Sequence, residues 1–309
     1  MKWRGEQVKN PPINTIITNA DLDAIISASL LTEQLGLDPM TIRFVHPAEA
    51  QQGRVSATSK TVVANLPYVP DAALWFDHHK SNINLHTDIP GKRVVAPSCA
   101  RVIANYFEVP DSQILQETDR IDSGCLTPGD LLHPEGFMLL SYTIHSNVND
   151  PEEVQYNREL VRRVSNCHGD LSCLTEYPEV QKRIKSYREN LKKVSDFIQP
   201  RTRREHNVII VDLRDADDPV YIDGAYKFVH YGMYPEADVS IRLYYPDLDQ
   251  ERTRLQVGWS VLNKSCTTDI SATLAPLGGG GHRAAGGVTV DSGQAEGTFN
   301  HILTELLEK

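Results

Sequence analysis

Three clusters of residues in this chain have types and spacings that suit chemistry. Asp77-His78-His79 closes the apolar run Ala72-Ala73-Leu74-Trp75-Phe76. Asp21-Leu22-Asp23 follows the apolar stretch around Ile16-Ile17. Near the C-terminus stands Gly278-Gly279-Gly280-Gly281-His282, with Arg283 behind it. Carboxylates and imidazoles gathered at strand ends suit a divalent cation, and His with two Asp suits Mn2+ or a similar borderline ion. One imidazole of the pair can take metal while the next faces a phosphate. The glycine run offers unhindered backbone N–H groups, a nest for an anion; His282 adds a donor and Arg283 a fixed positive charge. Together the clusters point to metal-assisted cleavage of a phosphate ester. Each alone has a plainer explanation. Asp21 can be a helix N-cap, adjacent histidines can lie on the surface, and a glycine run can be a loose loop. Ala284-Ala285-Gly286-Gly287, leading into Val288-Thr289-Val290, argues for a packed turn instead. Asp119 and Asp122 could add a carboxylate, although a solvated helix end accounts for both.

These residues need elements to hold them. In the first half, β-branched runs predict strands over 14–18, 41–45, 61–64 and 73–76, and helical spacing predicts a helix over 24–34 that stops at Gly36. Such alternation implies an α/β fold: a parallel sheet with helices on both faces. Ligands of such sheets sit beyond the carboxyl ends of the strands. Asn19 to Asp23, Asn65 and Asp77 to His79 all fall there. Residues 97–199 read as helical and end in a charged amphipathic stretch, Pro178 to Pro200, that suits a connecting helix. Beyond it, strands over 207–213, 237–245, 254–261 and 287–290, with helices over 221–231, 268–274 and at the C-terminus, predict a smaller α/β domain. The expected division is a metal-binding domain at 1–190, a linker at 191–205 and a substrate-binding domain at 206–309.

Composition narrows the function. The chain has 309 residues, enough for two domains, with 40% hydrophobic and 23% charged residues. A net charge of -10 argues against long duplex DNA, which needs a basic face. A small phosphorylated substrate or a short single-stranded oligonucleotide remains compatible. No apolar run approaches the roughly 18 residues of a membrane span, and Met1 to Glu6 lack the apolar core of a signal peptide. Five scattered cysteines form neither a disulfide framework nor a zinc pattern, so reduced thiols and a cytoplasmic location are expected.

The motifs in this order, with Asp77-His78-His79 and the glycine-His run about 200 residues apart, resemble the DHH phosphoesterase superfamily with its DHH-associated C-terminal domain. Asp21-x-Asp23-Ala24 fits its first motif and Asp122-Ser123-Gly124 its fourth. The resemblance spans nearly the whole chain. It implies Mn2+-dependent (or Mg2+- or Co2+-dependent) hydrolysis of a small phosphodiester or phosphoanhydride: a short oligonucleotide, a cyclic dinucleotide or a related nucleotide, with polyphosphate or pyrophosphate as the alternative. Carried over position by position, Asp23, His78 and Asp122 hold one metal and Asp21 helps hold another. His79 contacts the scissile phosphate and Asp77 orients the histidines. Gly279, Gly280, Gly281, His282 and Arg283 grip substrate, with Arg242, Asn263 and Asp119 as weaker candidates. A homodimer paired through the first domain is a further family expectation.

Two positions depart from the family pattern. Asn19 stands where the first motif usually has His, and Asn65 where the second has a metal-bridging Asp. A carboxamide offers one neutral oxygen in place of two anionic ones. One tight metal site and a second that is weak or substrate-assisted are therefore expected; a nucleotide-binding regulator with a degraded metal site is the reading from another class. Restoring both positions, Asn19→His with Asn65→Asp, is expected to add a second bound Mn2+ per chain, counted by metal analysis of the purified protein. Unaltered stoichiometry would show that these positions are not the missing ligands.

Overall fold

The computed structural model describes residues 13–216 and 226–308. Two compact units emerge: one holds the chain up to Ser123 together with Glu135–Ile184, the other Gly124–Pro134 together with Lys185 onward.

In the first unit β1 (Thr15–Thr18), β2 (Ile42–Phe44), β3 (Thr61–Ala64), β4 (Leu74–Asp77) and β5 (Gly91–Arg93) form a five-stranded sheet in the order β2-β1-β3-β4-β5. Every pairing in it is parallel. Helices α1 (Leu22–Leu35), α2 (Pro47–Gln51), α3 (Lys80–Ile83), α4 (Cys99–Tyr106) and α5 (Gln113–Asp122) are threaded between and after the strands. Consecutive strand residues point to opposite faces. Ile16, Val62 and Phe76 therefore enter one core, with α1 and α4, while Ile17, Val63 and Trp75 enter another. Both faces are apolar, as a parallel sheet requires. Helix α1 begins at the cap Asp21 and ends at Gly36, whose left-handed backbone (φ 66°) lets its N–H reach Thr32 O.

α6 (Pro128–Leu132) belongs to the second unit, whereas α7 (Gly136–Ser141), α8 (Pro151–Asn166) and α9 (Leu171–Thr175) return to the first. α10 (Pro178–Ile198) runs from one unit into the other. The second unit carries β6 (Thr202–Glu205), β7 (Val208–Asp212), α11 (Val229–Met233), β8 (Val239–Tyr244), β9 (Arg252–Trp259), α12 (Ile270–Leu274), β10 (Gly280–His282), β11 (Ala285–Asp291) and α13 (Ala295–Leu307). Its six-stranded sheet has the order β10-β11-β9-β8-β7-β6. Only β7 and β8 pair in parallel.

Two expectations change, the linker and the cysteines. The linker expected at 191–205 ends in β6, because Thr202–Glu205 pairs antiparallel with β7. Strands β5 and β10 carry too few β-branched residues to be read from sequence. Residues 221–225 of the helix expected at 221–231, and the N-terminal segment read for a leader, lie outside the described residues. Cys167 and Cys173 are joined in a disulfide, where reduced thiols were expected. The chain leaves α8 through two left-handed residues, His168 (φ 49°) and Gly169 (φ 73°), and this reversal brings the two sulfurs together. Among the described residues no helix is long and apolar enough to cross a membrane.

Strand β5 leads the chain toward α4, and its first residue is under tight constraint. Gly91 has φ 119°, and a Cβ there would stand 2.2 Å from Trp75 O. Gly91→Ala is expected to lower stability by about 2 kcal/mol or more, read from the urea midpoint.

Candidate metal centre

The turn from β1 into α1 places two acids at the start of the helix. Asp21 is the N-cap, its extended backbone letting Oδ1 accept from Ala24 N–H at 2.8 Å. Asp23 lies in the first turn and is 1% exposed. Its carboxylate spans the start of α4: Cys99 N–H donates to Oδ2 and Ala100 N–H to Oδ1, each at 2.8 Å. Helix N-termini favour anions, but burial outweighs this. Burial, and then the charges of Asp122 and Asp21, push the Asp23 carboxyl up to about 8. His78 follows β4. Its Nδ1 lies 3.1 Å from Ala96 O, and since a carbonyl only accepts, the proton sits on Nδ1. Nε2 is left with a lone pair, 3.4 Å from Asp122 Oδ2 and 3.8 Å from Asp23 Oδ2. Asp122 ends α5 with its side chain a quarter exposed. Burial and the charge of Asp21 push its carboxyl up to about 7.

Ligand atoms of Asp23, His78 and Asp122 all lie within 4.8 Å of one another. His78 Nε2 is buried with no hydrogen-bond partner among the described residues. An imidazole lone pair facing two carboxylates, with no donor between them, fits a divalent cation held by one nitrogen and two oxygens. The Nδ1–H bond to a backbone carbonyl is the usual means of aiming such an imidazole. Beside it, His79 Nδ1 bonds Asp77 Oδ1 at 2.8 Å. Asp77 is fully buried, and its other oxygen accepts from Asn82 Nδ2 at 2.6 Å. The bond to Asp77 is the largest influence on His79 and raises its pKa above the usual range. About half of the His79 side chain is exposed, so its Nε2 is open to a substrate.

No protein-family model matches the chain, and no curated protein matches it. Among solved structures, the pGpG-specific phosphodiesterase PggH from Vibrio cholerae matches it with a TM-score of 0.82 and 25% identity, over 96% of this chain and 99% of that one. This full-length likeness is consistent with the resemblance to the DHH phosphoesterase superfamily. A far more distant likeness is to the exonuclease RecJ bound to manganese, with a TM-score of 0.45 and 11% identity over 96% and 91% of the two chains.

The departures at Asn19 and Asn65 meet at one carboxylate. The Nδ2 of each donates to Asp21: Asn19 to Oδ2 by a short bond, Asn65 to Oδ1 at 3.4 Å. Their carboxamide oxygens, Asn19 Oδ1 and Asn65 Oδ1, are buried without a partner among the described residues. Burial raises the Asp21 carboxyl as well. Two orphaned amide oxygens flanking one carboxylate form a weaker donor set for a cation than the Asp23, His78 and Asp122 cluster, which has two carboxylates.

The structure engages several other candidates elsewhere. Asp119 takes Ser98 Oγ on Oδ1 at 2.6 Å and Arg101 Nε on Oδ2 at 2.7 Å, which leaves it tied to α4 rather than turned toward His78. Gly278 and Gly279 spend their N–H groups on Ala275 O and Leu274 O, and Gly280–His282 forms an edge strand. The second half of the glycine run is thus ordered by its pairing with β11. Packing demands glycine at Gly281, where a Cβ would stand 2.3 Å from Ala285 O, whereas Gly280 faces open space. His282 is exposed, and its Nδ1 accepts from Ala284 N–H, so Nε2 carries the proton. Arg283 lies over the Trp259 ring. Arg242 donates to Lys227 O, and Asn263 donates to Glu236 O while accepting from Ser265 N–H. Asn82 and Ser98 were missed by sequence reasoning; a Ser before a helical apolar pattern was the available signal.

The raised carboxyls set a pH dependence. Asp23 and Asp122 hold protons more tightly folded than unfolded, so the metal-free protein gains stability below the ordinary carboxylate range. It loses that stability as pH rises through about 7 and about 8. A bound cation displaces those protons. Thermal stabilisation by Mn2+ is expected to grow from about pH 6 to about pH 8, with protons released on binding, measured by melting curves and by calorimetry in buffers of different ionisation enthalpy. Flat Mn2+ affinity across that range would contradict the assignment.

Proposed function

We propose that this protein is a metal-dependent phosphodiesterase acting on short linear dinucleotides of the pGpG type. The observation that carries the reading is the convergence of Asp23, His78 and Asp122 beside the His79–Asp77 pair. The full-length likeness to a pGpG-specific phosphodiesterase supports the substrate class.

In this reading Asp23, His78 and Asp122 hold a divalent ion, Mn2+ by donor type, with a weaker second ion at Asp21, Asn19 and Asn65. Such an ion supplies Lewis acidity toward phosphoryl oxygens and lowers the pKa of a water toward ~7. The chain's own residues do the rest. Asp77 fixes the proton on His79 Nδ1 and favours the charged imidazolium. His79 Nε2 then donates to a non-bridging phosphate oxygen as negative charge builds there. Water adds to phosphorus, the bond from phosphorus to the 3′ oxygen breaks, and that oxygen leaves with a proton, so pGpG gives GMP alone. Asp23 and Asp122 keep their negative charge only when the metal is in place, since burial otherwise returns their protons. His282 Nε2–H and Arg283 are the substrate-binding groups of the second unit.

A regulator that binds nucleotide without cleaving it is the second reading, favoured by the two asparagines donating to Asp21. A polyphosphatase is less well supported. Arg201, Arg203 and Arg204, the basic run near the linker, are each paired with a carboxylate.

Mn2+-dependent release of GMP from pGpG by the purified protein is the expected outcome, with EDTA abolishing it. Absence of turnover on pGpG and on a panel of short oligonucleotides, cyclic dinucleotides and polyphosphate would favour the regulator. His79→Ala is expected to cut kcat by roughly 100-fold or more while leaving Mn2+ affinity unchanged, read from steady-state kinetics and Mn2+ titration of the same preparation.

A further inference from the structure

The three metal-ligating candidates come from separate elements: Asp23 from α1, His78 from the end of β4, Asp122 from the end of α5. Nothing along the chain fixes their spacing. One short segment, Ala96 to Arg101, touches the support of all three. Ala96 O accepts from His78 Nδ1. Cys99 N–H and Ala100 N–H hold the two oxygens of Asp23. Asp122 is reached through Asp119, one turn earlier on α5, which accepts from Ser98 Oγ at 2.6 Å and from Arg101 Nε at 2.7 Å. Arg101 Nη2 also reaches Asp111, ahead of α5, at 2.9 Å, so α5 is gripped near both ends.

We infer that Ser98 and Asp119 are positioning residues that set the distance between Asp122 and the Asp23–His78 pair, and so set the affinity of the metal centre. Ser98 is fully buried, and its hydroxyl has two duties. As an N-cap it accepts from Arg101 N–H at 3.0 Å, and capping uses only the oxygen lone pair. The hydroxyl proton is spent on Asp119. The cap orients the N–H groups that hold Asp23; the proton ties that same turn to the helix carrying Asp122. Asp119 therefore acts through Asp122 rather than as a ligand.

The inference rests on the metal centre of the proposed function and not on its substrate, so its test reads Mn2+ affinity, which a wrong substrate assignment leaves untouched. Mn2+ titration by EPR or calorimetry is compared across the wild type, Ser98→Ala, Ser98→Thr, Asp119→Ala and Asp119→Asn. Ser98→Ala and Asp119→Ala are expected to weaken Mn2+ binding about tenfold or more with stoichiometry unchanged. Ser98→Thr, which keeps the hydroxyl, restores affinity. Asp119→Asn, which keeps an acceptor toward Ser98, stays closer to wild type than Asp119→Ala. Asp150→Ala, which removes the cap of α8, controls for lost stability and should lower Tm without changing affinity. Unchanged affinity in folded Asp119→Ala overturns the inference, as does an Asp150→Ala effect equal to that of Ser98→Ala. Equal losses in Asp119→Asn and Asp119→Ala would mark Asp119 as a direct ligand and overturn it too. If Ser98→Ala does not fold, Asp119→Ala decides, because it leaves the cap intact. A wild type that binds no Mn2+ sinks both the centre and the inference, before any variant is made.

Discussion

A carboxylate sealed from water must be held by donors, neutralised by a proton or matched by a cation. Asp23 is in that position, and much of the first unit is arranged around it. Its two oxygens close off the first turn of α4, so α1 and α4 must start at the same place at the carboxyl edge of the sheet. Their apolar sides then meet over Ile16, Val62 and Phe76. Had the acid stood one position along α1, it would have turned by about 100° and missed the α4 amides. The core and the site are thus fixed by the same helix pair.

Electrostatics around that acid are frustrated by design. Two backbone N–H groups do not offset the burial of Asp23, and Asp122 and Asp21 add repulsion. Without a cation the cluster settles the conflict by holding protons; with one, two anionic oxygens and an imidazole lone pair become a good donor set. The neighbouring His79–Asp77 pair has the opposite character. There a buried acid meets a partly exposed base, and the resulting proton is kept at the surface where an anion can reach it. Asp77-His78-His79 sets two differently held imidazoles side by side, because the outer partners of the two rings differ: a carbonyl for His78 and a carboxylate for His79.

Much of this was legible in the sequence. Strands β1 to β4 were marked by β-branched runs, and α1 by its cap and by Gly36. The grouping of Asp23, His78 and Asp122 was implied by the family resemblance, and their ligand atoms do come together. What escaped was set by tertiary contact. Gly91-Lys92-Arg93 becomes a strand only because β4 offers it an edge. Gly280–His282 pairs with β11 although its composition says turn. The Cys167–Cys173 bond needs a reversal at His168 that spacing does not announce. Spacing alone could not rank Asp119 against Asp122, since three residues on a helix put both on one face; the family resemblance put Asp122 first, and in the structure Ser98 and Arg101 claim Asp119.

Asn65 holds a left-handed backbone, φ 54°, a conformation that Asn, Asp and Gly enter far more readily than other residues. The fold therefore narrows what can occupy that position while leaving amide and acid interchangeable. Exchange between them takes a single-base codon change and disturbs no dihedral angle. Descendants of this chain can gain or lose a carboxylate there without rebuilding the strand end that carries it, so the charge beside Asp21 is open to drift even as the architecture stays put.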